Sequence, residues 1–397
     1  MMVHGRNTPL AIVNHAPVHG NHIKPPSKTN QPVVIEFSKT ANCLIKLYSC
    51  LLYRQSFLVL DSLWPTHFLN QIKALLPATP NHTPCAIIAT SGSTGTPKLV
   101  CHSIDALFLS AQRSLVHSNI PTGDAILLSL SPSSMGGLLT VVKGLVSGAV
   151  IHLSSDHWLN ALSTQCQWHF AMVPQQLSRF INSGLSSLTI ASILIGGDAA
   201  PVQLKQQADH LPVMYSYGAT ETCGQIISTD IAGGTYSTLQ GVSLQLFNDQ
   251  LGIKTNTLAM GYLTASGVEA LPLKKGFFIS QDVVQLPPDF MVIGRKDFQF
   301  QSGAQLVSPE FIEHALVASG LVDDAWVVPH PHKNLGHVPV AYIPTLDSEP
   351  QLHRFAERTL PRHLRPSLYL KYPNFMVETS PLHRQTVINF HLNLMKR

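Results

Sequence analysis

The sequence predicts an α/β protein with a mainly parallel sheet, followed by a smaller α+β domain. Between residues 85 and 217, short apolar runs alternate with segments of helical periodicity. That alternation favours parallel strands joined by crossover helices. From 240 to 293 the pattern changes to short strand-like runs separated by turns. The chain has 397 residues, 45% of them hydrophobic, which is enough for two domains and a large core.

Individual elements follow from the same patterns. We expect strands over 85–89, 125–130, 149–153, 170–173, 192–195 and 213–216. We expect helices over 104–116, 137–146, 175–181 and 202–209. Near the end of the chain a helix begins at Pro309, and strands cover 325–328 and 338–342. Residues 1–31, rich in His, Asn and Pro, predict a loose extension. The predicted domains are 1–31, 32–294 and 295–397.

Composition argues against several function classes. The net charge of +4 is spread over few charged residues and includes no basic run, so nucleic acid is not an expected partner. Charged residues at 46, 54 and 61 interrupt the apolar stretch 43–69, and no signal peptide opens the chain, so we expect no membrane span. The six cysteines show no metal-binding spacing, and the twenty histidines are scattered. These features predict a cytoplasmic protein with free thiols.

The most informative segment follows the first apolar strand. Residues 90–98 read TSGSTGTPK, a loop of hydroxyls and glycines that ends in Lys98. Glycine lets backbone N–H groups approach a polyphosphate, and the lysine adds a positive charge. The loop differs from the P-loop of nucleotide hydrolases, which needs adjacent Gly-Lys followed by Ser or Thr. Here Pro97 precedes the lysine and Leu99 follows it.

Four further motifs occur downstream in a fixed order. They are GGDAAP at 196–201, YGATE at 217–221, GFFISQD at 276–282 and GRKD at 294–297. Together with the loop they resemble the motifs of the adenylate-forming superfamily, which includes acyl-CoA synthetases and peptide-synthetase adenylation domains. The resemblance covers about residues 60–380. It implies a large N-terminal α/β domain with a β-rich subdomain and a small, mobile α+β C-terminal domain, shortened here at the N-terminus.

The resemblance also implies roles for single residues, with ATP, Mg²⁺ and coenzyme A as cofactors. Lys98 would contact phosphate during catalysis, together with Thr220; Glu221 would hold Mg²⁺. Asp282 would bind the ribose hydroxyls, and Asp297 would be the hinge between the domains. The remaining predicted nucleotide-binding residues are Thr90, Ser91, Gly92, Ser93, Thr94, Gly95, Gly197, Tyr217, Gly218 and Arg295.

The chain departs from the family pattern near its end. Family members use a lysine there, but no lysine lies between Lys371 and Lys396. One alignment places Arg384 at the lysine position and another places Pro381 there. Arginine keeps the charge but not the compact ammonium. We therefore expect Arg384 to be the catalytic cation in this region, with a slow first half-reaction.

The resemblance implies an AMP-forming ligase that joins a small carboxylic acid to CoA. The segment 300–310, FQSGAQLVSPE, and VPQQL at 173–177 resemble the o-succinylbenzoate–CoA ligases of menaquinone synthesis. One alternative is an adenylation enzyme that loads a carrier protein on a separate chain. A second alternative is a degenerate homologue that binds nucleotide without ligase activity. The oligomeric state does not follow from the sequence.

Overall fold

The fold is described from a computed structural model. It covers residues 9–13, 16–26, 31–64, 66–76, 85–90, 97–153, 166–183, 189–231, 233–303, 305–378 and 384–395.

The strands, in chain order, are β1 Pro9–Val13, β2 Ala16–His19, β3 Val33–Phe37, β4 Phe57–Asp61, β5 Cys85–Thr90, β6 Lys98–Ser103, β7 Ala125–Leu127, β8 Val150–Leu153, β9 Gln167–Met172, β10 Thr189–Ile195, β11 Val213–Ala219, β12 Gly224–Ser228, β13 Ser237–Thr238, β14 Val242–Phe247, β15 Gln250–Thr255, β16 Gly261–Thr264, β17 Gly267–Ala270, β18 Leu273–Lys274, β19 Phe277–Gln285, β20 Met291–Arg295, β21 Phe300–Ser302, β22 Gln305–Val307, β23 Trp326–His332, β24 Gly336–Ile343 and β25 Leu368–Lys371.

The α-helices are α1 Ala41–Leu52, α2 Thr66–Ala74, α3 Ile104–Ser118, α4 Met135–Ser147, α5 Pro174–Asn182, α6 Val202–Gln207, α7 Pro309–Ala318, α8 Glu349–Thr359, α9 Asn374–Glu378 and α10 Arg384–Leu394. Short polar side chains start several of them. Ser103 accepts a hydrogen bond from the backbone N–H of Ala106 at the start of α3, and Ser134 does the same for Gly137 in α4.

Two sheets form the large domain. The first has the order β13-β12-β11-β10-β9-β7-β8-β1-β2, and its central pairs from β8 to β11 are parallel. The second has the order β17-β16-β6-β5-β4-β3. Buried residues of α1, α3 and α4 form one core cluster with residues of both sheets, so these helices lie between them. The predicted parallel α/β domain is confirmed, and its helices begin or end within a few residues of the expected positions.

The predicted loose extension over residues 1–31 is wrong for its described part. Strands β1 and β2 form an antiparallel hairpin, and β1 pairs in parallel with β8. Ala11 and Val18 are buried in the large core. The apolar residues at 10–13 and 18 are few, and the surrounding His and Pro residues hide their strand pattern in the sequence. Tertiary pairing with an existing sheet edge orders the segment.

Two smaller β-rich units follow. Strands β14, β15, β18, β19 and β20 form a mostly antiparallel sheet that packs on Ile226 and Ile227 of β12. Residues from β21 onward form a sheet of β22, β21, β24, β23 and β25, covered by α7, α8 and α10. The α+β character expected of the last hundred residues is therefore present. No helix within the described residues is long and apolar enough to cross a membrane.

Candidate functional site

The ends of the predicted phosphate loop lie on an antiparallel hairpin. Thr90 is the last residue of β5 and pairs with Lys98, the first residue of β6. The Thr90 hydroxyl donates to the Lys98 carbonyl over 3.4 Å. Lys98 is exposed, so its ammonium is available to a ligand. The intervening predicted residues Ser91, Gly92, Ser93, Thr94 and Gly95 lie outside the described part of the chain.

A second backbone turn presents Thr220 and Glu221. A 3-10 turn, Thr220–Thr222, joins β11 to β12. Upstream, a Cβ at Gly218 would lie 2.0 Å from the Gly224 carbonyl oxygen, so this close strand approach requires glycine. The backbone N–H of Ala259 donates to the Glu221 carbonyl over 2.7 Å, which ties the turn to the segment before β16.

Tyr262 of β16 connects these two parts of the site. Its hydroxyl donates to Glu221 Oε1 over 3.0 Å. The Lys98 ammonium lies 5.6 Å from the centre of the same ring, within the range of a cation–π contact. The structure thus brings the predicted phosphate lysine and the predicted magnesium carboxylate into contact with one aromatic side chain.

His102 contacts the Thr220–Thr222 turn through a hydrogen bond. It lies on β6, four residues after Lys98, and is fully buried. Its Nε2 lies 2.8 Å from the Thr220 carbonyl oxygen, which can only accept, so Nε2 carries the hydrogen. Burial lowers the pKa of His102 to about 4, and the imidazole is neutral near pH 7. This hydrogen bond holds the Thr220–Glu221 turn against β6, the strand that begins with Lys98.

The predicted ribose-binding residues form one connected polar group. The Tyr217 hydroxyl donates to Asp282 Oδ2. Arg295, opposite Asp282 in the β19–β20 register, lies 3.5 Å from Asp282 Oδ1 through its guanidinium. Burial, then the adjacent Asp282 carboxylate, raises the pKa of Tyr217 well above its ordinary value. The phenol therefore stays protonated and holds one carboxylate oxygen in place.

Asp297 is joined to the same group by two hydrogen bonds. Arg295 donates from Nε and from one terminal nitrogen to the two Asp297 oxygens, each over 3.0 Å. The start of α7, further along the chain, packs closely on β20, because a Cβ at Gly294 would lie 2.3 Å from Oγ of Ser308, the residue before α7. The predicted hinge residue thus lies where the chain leaves the large domain and enters the C-terminal one.

Gly197 lies in a backbone conformation that suits its predicted position beside the nucleotide. Its φ of +85° is in the region that favours glycine, directly after the end of β10. The carboxyl ends of parallel strands are where open α/β sheets bind ligands. Asp198 follows, and its carboxylate accepts from the Ala199 N–H over 2.8 Å.

Arg384 is held inside the C-terminal domain. Its two terminal nitrogens donate to the two Glu313 oxygens over 2.7 and 2.6 Å, and one also donates to the Val327 carbonyl over 3.0 Å. The guanidinium carbon lies 5.3 Å from the ring centres of both Phe298 and Trp326. Only 9% of the side chain is exposed. Its catalytic role stays a prediction, and these contacts count against it.

The burial of Lys143 was not predicted from the sequence. Lys143, on α4, is 7% exposed, and its ammonium has no hydrogen bond or ion pair among the described residues. It lines a cavity of about 20 Å³ with Thr140, His169 and Ser192. That volume is enough for about one water molecule. Burial lowers the pKa of Lys143 to about 8. The cavity also touches Ala171 and Leu194, each one residue before the end of its strand.

One carboxylate in this site, that of Glu221, is available as a ligand for a magnesium ion. Within the described residues there is no group of three His, Cys, Asp or Glu side chains. Mg²⁺ is commonly held by one or two carboxylates together with substrate phosphates. Glu221, whose Oε1 accepts from Tyr262, is the carboxylate that we predict for this ion.

The fold and these clusters define a nucleotide-binding protein of the adenylate-forming class. The family model described as AMP-binding enzyme matches residues 27–258, more than half of the chain. The chain therefore belongs to the AMP-binding enzyme family.

Curated relatives share one name. The 2-succinylbenzoate–CoA ligase of Escherichia coli (strain K12) is 29% identical over 296 residues, which are 73% of this chain and 65% of the relative. The enzyme of the same name from Salmonella typhimurium is 31% identical over 261 residues, 64% of this chain and 56% of the relative. The matched part of the chain thus spans less than two thirds of the length of these relatives.

Solved structures show the same fold. E. coli MenE with a bound analogue of OSB-AMS has a TM-score of 0.79 at 22% identity, covering 100% of this chain and 97% of that one. The o-succinylbenzoate CoA synthetase from Bacillus subtilis, in complex with the acyl-adenylate OSB-AMP, has a TM-score of 0.74 at 19% identity, covering 90% and 87%.

Proposed function

We propose that this protein is an ATP-dependent ligase that joins a carboxylic acid to coenzyme A and releases AMP and pyrophosphate. The observation that supports this most directly is a pair of polar clusters at the end of β11. Lys98, Tyr262 and Glu221 form one cluster, and Tyr217 and Asp282 belong to the other. The first cluster suits a triphosphate with its magnesium ion, and the second suits a ribose.

In the first half-reaction, a carboxylate oxygen of the acid attacks the α-phosphorus of ATP, and pyrophosphate leaves. Such a step depends mainly on positioning and on neutralising charge at phosphorus. Lys98 holds the leaving phosphates. Glu221 would hold Mg²⁺, which would supply further positive charge beside them. Asp282 accepts from the ribose hydroxyls and so fixes the nucleotide relative to the acid.

The acid that we propose is 2-succinylbenzoate, the substrate that the curated relatives carry in their name. This compound has two carboxylates, and only one of them can react at a time. The segments 300–310 and 173–177, which resemble those of the o-succinylbenzoate–CoA ligases, support this choice of acid.

In the second half-reaction, the thiol of CoA displaces AMP from the acyl-adenylate. We propose that the C-terminal domain turns about Asp297 between the two steps, because Asp297 lies at the junction and, among the described residues, its carboxylate bonds to Arg295 alone. The six free cysteines fit a reducing compartment, and we place the reaction in the cytoplasm. A carrier-protein thiol is the alternative acceptor.

The experiment incubates the protein with ATP, Mg²⁺, CoA and 2-succinylbenzoate and follows the products by mass spectrometry. We expect the CoA thioester and AMP in equal amounts. Benzoate and a fatty acid serve as comparison acids, and a phosphopantetheinylated carrier replaces CoA in a parallel reaction. ATP binding without AMP release under any of these conditions would support the nucleotide-binding homologue instead.

A further inference from the structure

Tyr262 contacts two groups of opposite charge. Its hydroxyl donates to Glu221, and its ring lies beside the Lys98 ammonium. Lys98 and Glu221 make no ion pair with each other, although each contacts the same side chain. Opposite charges attract at short range, so two such groups with a shared neighbour could pair directly. Tyr262 offers each of them another partner.

The backbone register explains why Tyr262 lies there. In the antiparallel pair of β16 and β6, Tyr262 is opposite Val100 and Leu263 is opposite Leu99. Residues two apart on a strand share one face, so Lys98 and Val100 project to the same side. Tyr262 is thus the diagonal cross-strand neighbour of Lys98, within reach of a long side chain.

The segment before β16 is also fixed at both sides. The Ala259 N–H donates to the Glu221 carbonyl over 2.7 Å, and the Met260 N–H donates to the Cys101 carbonyl over 2.8 Å. Tyr262 follows two residues later, in a strand that cannot shift without breaking these bonds. The ring therefore has a defined place relative to both charges.

We propose that Tyr262 is a positioning residue that keeps Lys98 and Glu221 apart before nucleotide binds. It gives the carboxylate a hydrogen-bond donor and the ammonium an aromatic face, so neither group needs the other. Lys98 can then meet the phosphates and Glu221 can meet Mg²⁺ without first breaking an ion pair. This inference rests on the proposed nucleotide-binding function of the site.

Calorimetric titration with ATP in the presence of EDTA tests the inference, because without magnesium the affinity depends on Lys98 and not on metal binding by Glu221. In Tyr262→Leu, Lys98 is free to pair with Glu221, and we expect ATP to bind about three- to fivefold more weakly, the range of an exposed ion pair. Tyr262→Phe keeps the aromatic face for Lys98 but loses the donor to Glu221, so its loss of affinity should be smaller than that of Tyr262→Leu.

The decisive comparison repeats Tyr262→Leu in a Glu221→Gln background. Without the carboxylate charge there is no pair to form, so the tyrosine substitution should no longer weaken ATP binding. A purely structural role for Tyr262 would produce the same loss in both backgrounds, and that result, or no loss in either, would overturn the inference. If Tyr262→Leu does not fold, Tyr262→Met removes the ring with a longer, more flexible side chain that adapts to its surroundings. Failure of the wild type to bind ATP at all would instead reject the proposed function.

Discussion

Arg384 lies 2.6 Å from Glu313 through one guanidinium nitrogen and 2.7 Å through the other, in a two-pronged ion pair. Glu313 is on α7 and Arg384 begins α10, so the pair is internal to the C-terminal domain. Rotation of that domain as a rigid body would leave the pair intact. The pair joins α7 to α10, so Arg384 holds these two helices together.

We expect Arg384→Met to lower the free energy of unfolding by about 3–5 kcal/mol, because Glu313 would keep a buried charge without its partner. Arg384→Lys should lower the free energy of unfolding by less, and it should not increase ATP-dependent turnover. Urea unfolding measures the first effect, and the exposed Arg358→Met on α8 is the matched control. A stable Arg384→Lys variant with faster turnover would instead place residue 384 at the family's lysine position.

Lys98→Ala tests the phosphate contacts. The substitution removes one preorganised charge next to the leaving phosphates and should slow adenylate formation by about 10²-fold or more. The exposed Lys333→Ala in the C-terminal domain is the control for loss of a lysine elsewhere. Exchange kinetics of the folded Lys98→Ala protein that equal those of the wild type would count against the assignment.

Asp297→Pro tests the hinge. Proline fixes φ near −65°, and a hinge residue must change its backbone angles. We expect adenylate formation to persist, while conversion of a synthetic acyl-adenylate and CoA into thioester falls. Both half-reactions are measured separately on the same preparation. If they fall by the same factor, the domain turns about another residue.

Acid should destabilise the protein through His102. Its folded pKa of about 4 lies below its ordinary value of 6.5, so the unfolded chain binds the proton more readily. The stabilising contribution is complete above pH 6.5 and is lost as the pH falls toward 4. One such group accounts for about 2 kcal/mol between pH 7 and 5.

His102→Gln is the variant that isolates this effect. Glutamine can still donate to the Thr220 carbonyl but does not titrate. Urea unfolding at pH 7 and pH 5 should therefore show a smaller pH dependence in His102→Gln than in the wild type. Equal pH dependence in the two proteins would assign the acid sensitivity to other histidines.

The local motifs allowed much of the site to be predicted, because each motif couples a backbone geometry to one side chain. Gly218 permits the approach of β12, and the Asp282–Arg295 pairing follows from adjacent strands. Other features depend on contacts between distant parts of the chain. Tyr262 reaches Glu221 across 41 residues, and Arg384 reaches Glu313 across 71. No local pattern marks either partner.

The burial of Lys143 is another feature that no local sequence pattern predicts. In the sequence Lys143 is a single lysine within the apolar pattern of α4, where an exposed position would be the ordinary expectation. Only the packing of α4 between the two sheets buries it. The strand pairing of β1 was likewise hidden, because its few apolar residues gain their partner from β8, more than a hundred residues away.

The most direct test of the central claim is the exchange of labelled pyrophosphate into ATP in the presence of Mg²⁺ and 2-succinylbenzoate. Exchange requires a reversible acyl-adenylate step and does not require CoA. We predict exchange that depends on both the acid and Mg²⁺ and that is abolished or strongly slowed in Lys98→Ala. Absence of acid-dependent exchange in a wild-type protein that binds ATP would contradict the assignment of this chain as an adenylate-forming ligase for that acid.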